Sequence, residues 1–76
     1  MPDLPHLSGR EIIRTLEKLG FSQARQRGSH VVMKKSTPTG SKGCVVPTHG
    51  EVAIGTLRSI LKQAGISAED FIKSLK

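Results

Sequence analysis

The sequence has no tryptophan and no tyrosine, and its two phenylalanines, Phe21 and Phe71, both fall in apolar settings that assign them to a core. The aromatic platforms on which single-strand-binding folds stack bases are therefore missing, so any hold on nucleic acid must run mainly through its backbone. A single cysteine, Cys44, excludes an intramolecular disulfide framework and a paired-cysteine zinc site. It reads as a small apolar strand residue. The three histidines, His6, His30 and His49, are too scattered for a recognised ligand motif, and no carboxylate is placed with them as in a zinc hydrolase, so no metal is expected. Gly50 and Gly55 are isolated glycines; with no P-loop and no dinucleotide fingerprint, no cofactor is expected either. No apolar run approaches the roughly 20 residues that span a bilayer, and the basic-then-apolar layout of a signal peptide is missing. The expectation is a soluble, cytoplasmic protein with no membrane partner.

What is present is positive charge. Twelve Lys and Arg against six Asp and Glu leave a net charge of +6 on 76 residues. An excess of that size favours an anionic partner: nucleic acid, an acidic protein or, the weakest of the three, an anionic membrane surface. The length fits one small domain over residues 1–76, able to bury only about 60% of its unfolded surface.

The pattern along the chain predicts a helix, three strands, a second helix and a short closing helix, an α+β arrangement. Ser8 and Glu11 form a capping box; Ile12, Ile13, Leu16 and Leu19 recur at helical spacing, and Gly20 supplies the stop. Strands are expected from about Phe21 to Arg27 and from about His30 to Lys35. Residues 36–43, rich in turn formers, read as a flexible loop before a short strand, Cys44-Val45-Val46, ended by Pro47. Thr48-His49-Gly50 reads as a loop into a helix from about Ala53 to Ala64, whose apolar face is Ile54, Leu57, Ile60, Leu61 and Ala64, with Gly65 beyond it. Gly55 costs that helix up to about 1 kcal/mol relative to alanine, and close packing is the expected reason for it. Ser67 caps the last helix, which carries Phe71, Ile72 and Leu75.

The chemistry is expected at Gly28-Ser29, which matches a two-residue type II′ hairpin loop with glycine first. That loop pairs 27 with 30, 25 with 32 and 23 with 34. Alternation then puts Gln23, Arg25, Arg27, His30, Val32 and Lys34 on one face and Ser22, Ala24, Gln26, Val31, Met33 and Lys35 on the other. Arg25, Arg27 and Lys34 share their face with no carboxylate, an invitation to an anion. An imidazole among positive charges is disfavoured in its protonated form, and a neutral imidazole acts as a base. Beside an RNA phosphodiester it would take the proton of a 2′-hydroxyl and let that oxygen attack phosphorus, the cations stabilising the charge that develops. Arg25, Arg27 and Lys34, with Lys35 next in sequence, are the candidate RNA-binding residues. A non-catalytic module that recognises A-form RNA by its backbone is the alternative.

Leu7-Ser8-Gly9-Arg10-Glu11, Leu19-Gly20-Phe21, Arg27-Gly28-Ser29-His30, Val46-Pro47-Thr48-His49 and the run from Gly55 to Ile66 together resemble the HicA (YcfA-like) toxins. The resemblance implies a double-stranded-RNA-binding-like fold, with a three-stranded antiparallel sheet packed against helices. It also implies an mRNA-cleaving toxin of a toxin–antitoxin system, partnered by a HicB antitoxin. The family's Gly-Ser-His motif maps onto Gly28, Ser29 and His30, with His30 as its catalytic histidine and the two preceding residues as the supporting turn. His49 matches a second histidine common in the family, its role open between RNA contact, partner contact and loop structure. Glu51 departs from the pattern, an acid where basic residues are frequent.

Overall fold

A computed structural model describes residues 4–75. The order of elements is β1 (Leu7–Ser8), α1 (Gly9–Lys18), β2 (Ser22–Arg27), β3 (His30–Thr37), β4 (Gly40–Pro47), β5 (Glu51–Val52), α2 (Ile54–Ala64) and α3 (Ala68–Ser74). Strands β2, β3 and β4 form an antiparallel sheet in that order, while β1 and β5 make a separate two-stranded ribbon. The expected α+β architecture, three helices and a three-stranded antiparallel sheet of the double-stranded-RNA-binding type, is the one observed.

Helix α1 begins as its sequence dictates. The Ser8 hydroxyl accepts from the Glu11 amide at 3.2 Å, and the Glu11 carboxylate accepts from the Ser8 amide at 3.1 Å, which satisfies two of the unpaired donors of the first turn. Ser67 caps α3 with its hydroxyl alone, accepting from the Asp70 backbone N–H. Helix α2 starts after Ala53 with no side-chain cap and ends at Gly65, whose φ of +70° suits glycine.

All three helices contribute to one core on one side of the sheet. Ile12 and Leu16 of α1, Leu57 and Ile60 of α2 and Phe71 of α3 are sealed against Met33 and Val46. Along β3 and β4 the alternation is clean: Val31, Met33, Cys44 and Val46 face the helices, while Val32 is half-buried and Val45 exposed on the outer face.

Three expectations fail here. The pairing of 27 with 30 and 25 with 32 holds, but Gln23 pairs with Met33 and Ser22 with Lys34, because a bulge at Ala24 inserts one extra residue into β2. The cause is Phe21, which is 4% exposed. Strict alternation from Gln26 would turn that ring to solvent, and one inserted residue returns it to the core. Gln23 consequently lies on the helix side of the sheet rather than on the basic face, and Ala24 moves to the outer face beside Arg25.

Residues 36–43 are not a flexible loop. β3 runs on to Thr37, β4 starts at Gly40, and the two pair continuously around Pro38-Thr39. Pro38 has the fixed φ that suits the first corner of a turn, Gly40 takes a φ of +143°, and Ser36, Thr37, Ser41 and Lys42 on either side of the turn pair in the ladder as well as any residue. Gly55, finally, has no packing reason: a β-carbon there would meet nothing within 4 Å.

Candidate functional site

The Gly28-Ser29 turn is the expected type, positive φ at Gly28 (+56°) and at no non-glycine residue. It is also held from two sides. The Gln26 side-chain Nε2 donates to the Gly28 carbonyl at 3.2 Å, closing the turn from the helix side. Across the sheet the Ser29 carbonyl accepts twice from Thr48, from its backbone N–H at 2.6 Å and from its hydroxyl at 2.9 Å. His30, the next residue, pairs with Arg27 on one side and Pro47 on the other. Its backbone is therefore fixed in the middle strand of the sheet while its side chain is exposed.

The same bonds bring His49 to this end of the molecule. Thr48 is tied to Ser29, and the Gly50 carbonyl accepts from the Gly9 amide at 3.3 Å, so the 48–50 segment is fastened at both ends with His49 exposed between them. Gly9 has to be glycine for this approach: a β-carbon there would overlap the Pro47 carbonyl oxygen and stand 2.9 Å from the Thr48 Cα. His6 lies elsewhere. Its Nδ1 is 3.4 Å from a Glu51 carboxylate oxygen, both side chains exposed, on the β1–β5 ribbon. The acid that stood out in the sequence is thus turned toward a histidine outside the site.

On the outer face Arg25, Arg27, His30 and Lys34 surround Val32 and Val45, and residues 22–47 contain no Asp or Glu. Ala24, Arg25, Val32 and Lys34 border a shallow hollow there. Lys35 is not part of this surface. Its ammonium donates to the Leu19 carbonyl at 2.8 Å, at the end of α1, and sits 5.8 Å above the Phe21 ring. Of the four candidate cations, three share the face of His30 and the fourth is engaged on the other side of the sheet.

Burial pushes the Cys44 thiol up to about 11, which fits a packed strand residue rather than a nucleophile. Among the described residues no three His, Cys, Asp or Glu side chains come together as a group that would hold a metal ion. None of the described helices is long and apolar enough to cross a membrane.

A family model described as the HicA toxin of bacterial toxin–antitoxin systems matches residues 9–66. The chain belongs to the HicA toxin family. The match takes in α1, the whole three-stranded sheet, the Thr48 loop and α2, so it contains both the turn that carries His30 and the segment that braces it. As a HicA protein the chain has the role of a toxin, and a toxin of this kind implies an antitoxin partner. Comparison with curated proteins gives no match.

Gln26 and Thr48 were not singled out from the sequence. Gln26 reads as a strand residue on the face of Val31 and Met33, and Thr48 as a loop residue; the bond from Gln26 to Gly28 is local to the turn, while only the tertiary path that lays the 48–50 segment against the turn gives Thr48 its task.

Proposed function

We propose that this HicA toxin is a metal-independent endoribonuclease that cuts mRNA in the cytoplasm with His30 as general base. The observation that carries the reading is the presentation of His30: an exposed imidazole on a backbone braced from both sides, on a face whose other ionisable groups are Arg25, Arg27 and Lys34. RNA phosphates fit that face. With a phosphodiester held there, the neutral imidazole takes the 2′-hydroxyl proton, the 2′-oxygen bonds to phosphorus, and the bond from phosphorus to the 5′-oxygen of the next nucleotide breaks. The departing oxygen takes up a proton, and the products end in a 2′,3′-cyclic phosphate and a 5′-hydroxyl. Arg25 and Arg27 neutralise the charge that builds on the phosphate oxygens, and Gly28 and Ser29 set the direction of His30. His49, fastened at the same end, is a further contact for the RNA or for the antitoxin, which is of the HicB type. An antitoxin that covers this face silences the toxin by excluding RNA.

The test is incubation of single-stranded mRNA with the purified protein in EDTA, next to a His30→Ala variant. Fragmentation by the parent alone supports the mechanism, and an RNA with 2′-deoxyribose at the scissile position should resist. If neither protein cuts while both still bind, the chain is an RNA-binding module; equal cutting by both removes His30 from the chemistry.

A further inference from the structure

Behind the sheet, on the side away from His30, α1 and β2 enclose a cleft of about 360 Å³. Helix α1 and β2 run in opposite directions along its walls, which orders the lining. At the end near the hairpin turn stand Arg10, next to the Gly9 contact with Pro47 and Thr48, and Gln26, bonded to the Gly28 carbonyl. Arg14 follows one helical turn on, and at the far end Glu17 faces Gln23, the residue that the Ala24 bulge turned inward. Charge is therefore separated along the cleft, cationic at the His30 end and anionic at the other. Among the described residues neither guanidinium is in an ion pair, nor is the Glu17 carboxylate. The floor, Ile13 and Val31, is 7% and 3% exposed, too little apolar surface to seat a protein side chain.

We propose that this cleft is a subsite for one unpaired RNA nucleotide next to the cleaved bond, and that Glu17 and Gln23 select a base bearing an exocyclic amino group. The proposal rests on the ribonuclease reading for its place in the reaction but not for its chemistry. Arg10 and Arg14, four residues apart on α1, each offer a planar, bidentate fork of donors to the phosphate. With the phosphate fixed there, the base lies toward Glu17, whose carboxylate accepts from an amino group such as N4 of cytosine and repels the O4 of uracil. Gln23 supplies a second donor and acceptor at the base edge, and an RNA strand leaving the Arg10 end passes the Gly28-Ser29 tip to reach His30.

The probes are 2′-O-methyl hexacytidylate and hexauridylate, which have no free 2′-hydroxyl and stay intact. Binding is read by fluorescence anisotropy, and the Gln23 and Gln26 side-chain amides by NMR. The parent should bind the cytidylate about tenfold more tightly, with both amide signals moving. Glu17→Ala should bring the two probes to equal affinity. Arg14→Gln should weaken both alike and lower the salt slope by about 0.7. Equal affinity of the parent for the two probes, or unmoved Gln23 and Gln26 signals while those of Arg25 and His30 shift, overturns the subsite. The two readings separate cleanly. Cleavage of ordinary mRNA without base preference removes the cleft and leaves the ribonuclease; a preference that persists in a protein that does not cut leaves the cleft and removes the ribonuclease.

Discussion

Replacement of Gly9 by alanine should destabilise the protein although it places a better helix former in α1. Alanine is worth up to about 1 kcal/mol over glycine within a helix, and less at a first position. Against this stands the new β-carbon, which would overlap the Pro47 carbonyl oxygen and lie 2.9 Å from both the Pro47 carbonyl carbon and the Thr48 Cα. These are backbone atoms, so no rotamer change relieves them. The start of α1 must part from the 47–50 segment, weakening the bond from the Gly9 amide to Gly50. Overpacking of this kind costs roughly 1–3 kcal/mol, a large part of the roughly 4–11 kcal/mol expected for a chain of this length. A net loss near 1–2 kcal/mol lowers Tm by about 4–15 °C. The strain also reaches the site, because Thr48 is the residue that braces Ser29. RNA cleavage should fall further than RNA binding. Thermal melts followed by far-UV circular dichroism measure the first effect, with Gly55→Ala as the control: its β-carbon would meet nothing within 4 Å, and its Tm should stay level or rise. A Gly9→Ala protein that melts at or above the parent refutes the reasoning.

Thr48→Val removes the hydroxyl donor to Ser29 and keeps the backbone one. It should cost about 1 kcal/mol by thermal melt and lower kcat for RNA cleavage with KM little changed, and Thr48→Ser should restore both. Alanine at Arg25, Arg27 and Lys34 together should weaken RNA binding and reduce its salt slope by about 2, measured by anisotropy across a salt series; unchanged affinity would show that RNA binds elsewhere. Cys44 makes stability fall in alkali. Its thiol ionises near 9.0 in the unfolded chain and near 11 in the fold, so its contribution is whole below pH 9 and is lost as pH rises from 9 to 11. Urea midpoints should therefore drop by the equivalent of about 1 kcal/mol by pH 10, and that part of the drop should vanish in Cys44→Ala.

The elements most legible in the sequence were those specified locally. Ser8 and Glu11 needed only each other, and Gly28-Ser29 needed only the backbone torsions of a tight turn. Elements set by distant partners were misread or missed. The reading that Phe21 is buried and the reading that Gln23 and Arg25 share a face conflict under strict alternation; the bulge at Ala24 reconciles them, but only the sheet's packing on the helices says where it falls. The 36–43 segment looks like a loop because its residues form turns well, yet pairing along β3 satisfies its backbone better. The β1–β5 ribbon, two residues a side, lies below any periodic signal. At the site, His30 and three of its cations were readable from alternation outward from the turn. Lys35 sits on the opposite face by that same alternation, and what holds it, the carbonyl at the end of α1, is a tertiary fact.

Lys35 and Lys42 stand directly opposite one another in β3 and β4, an arrangement in which like charges repel. Each has an outlet: Lys35 donates to Leu19 at the end of α1, and the Lys42 ammonium lies against Gly65, at the end of α2, where the helix dipoles favour cations. The two ends of β3 are thus moored differently, by charge at the Pro38 tip and by neutral hydrogen bonds at the Gly28 tip. Dissolved ions screen the first kind of mooring and hardly touch the second. Raising the salt concentration should loosen the far end of the sheet and leave the bracing of His30 as it was. On the ribonuclease reading, a loss of activity in high salt then reports the release of RNA rather than the collapse of the geometry around His30.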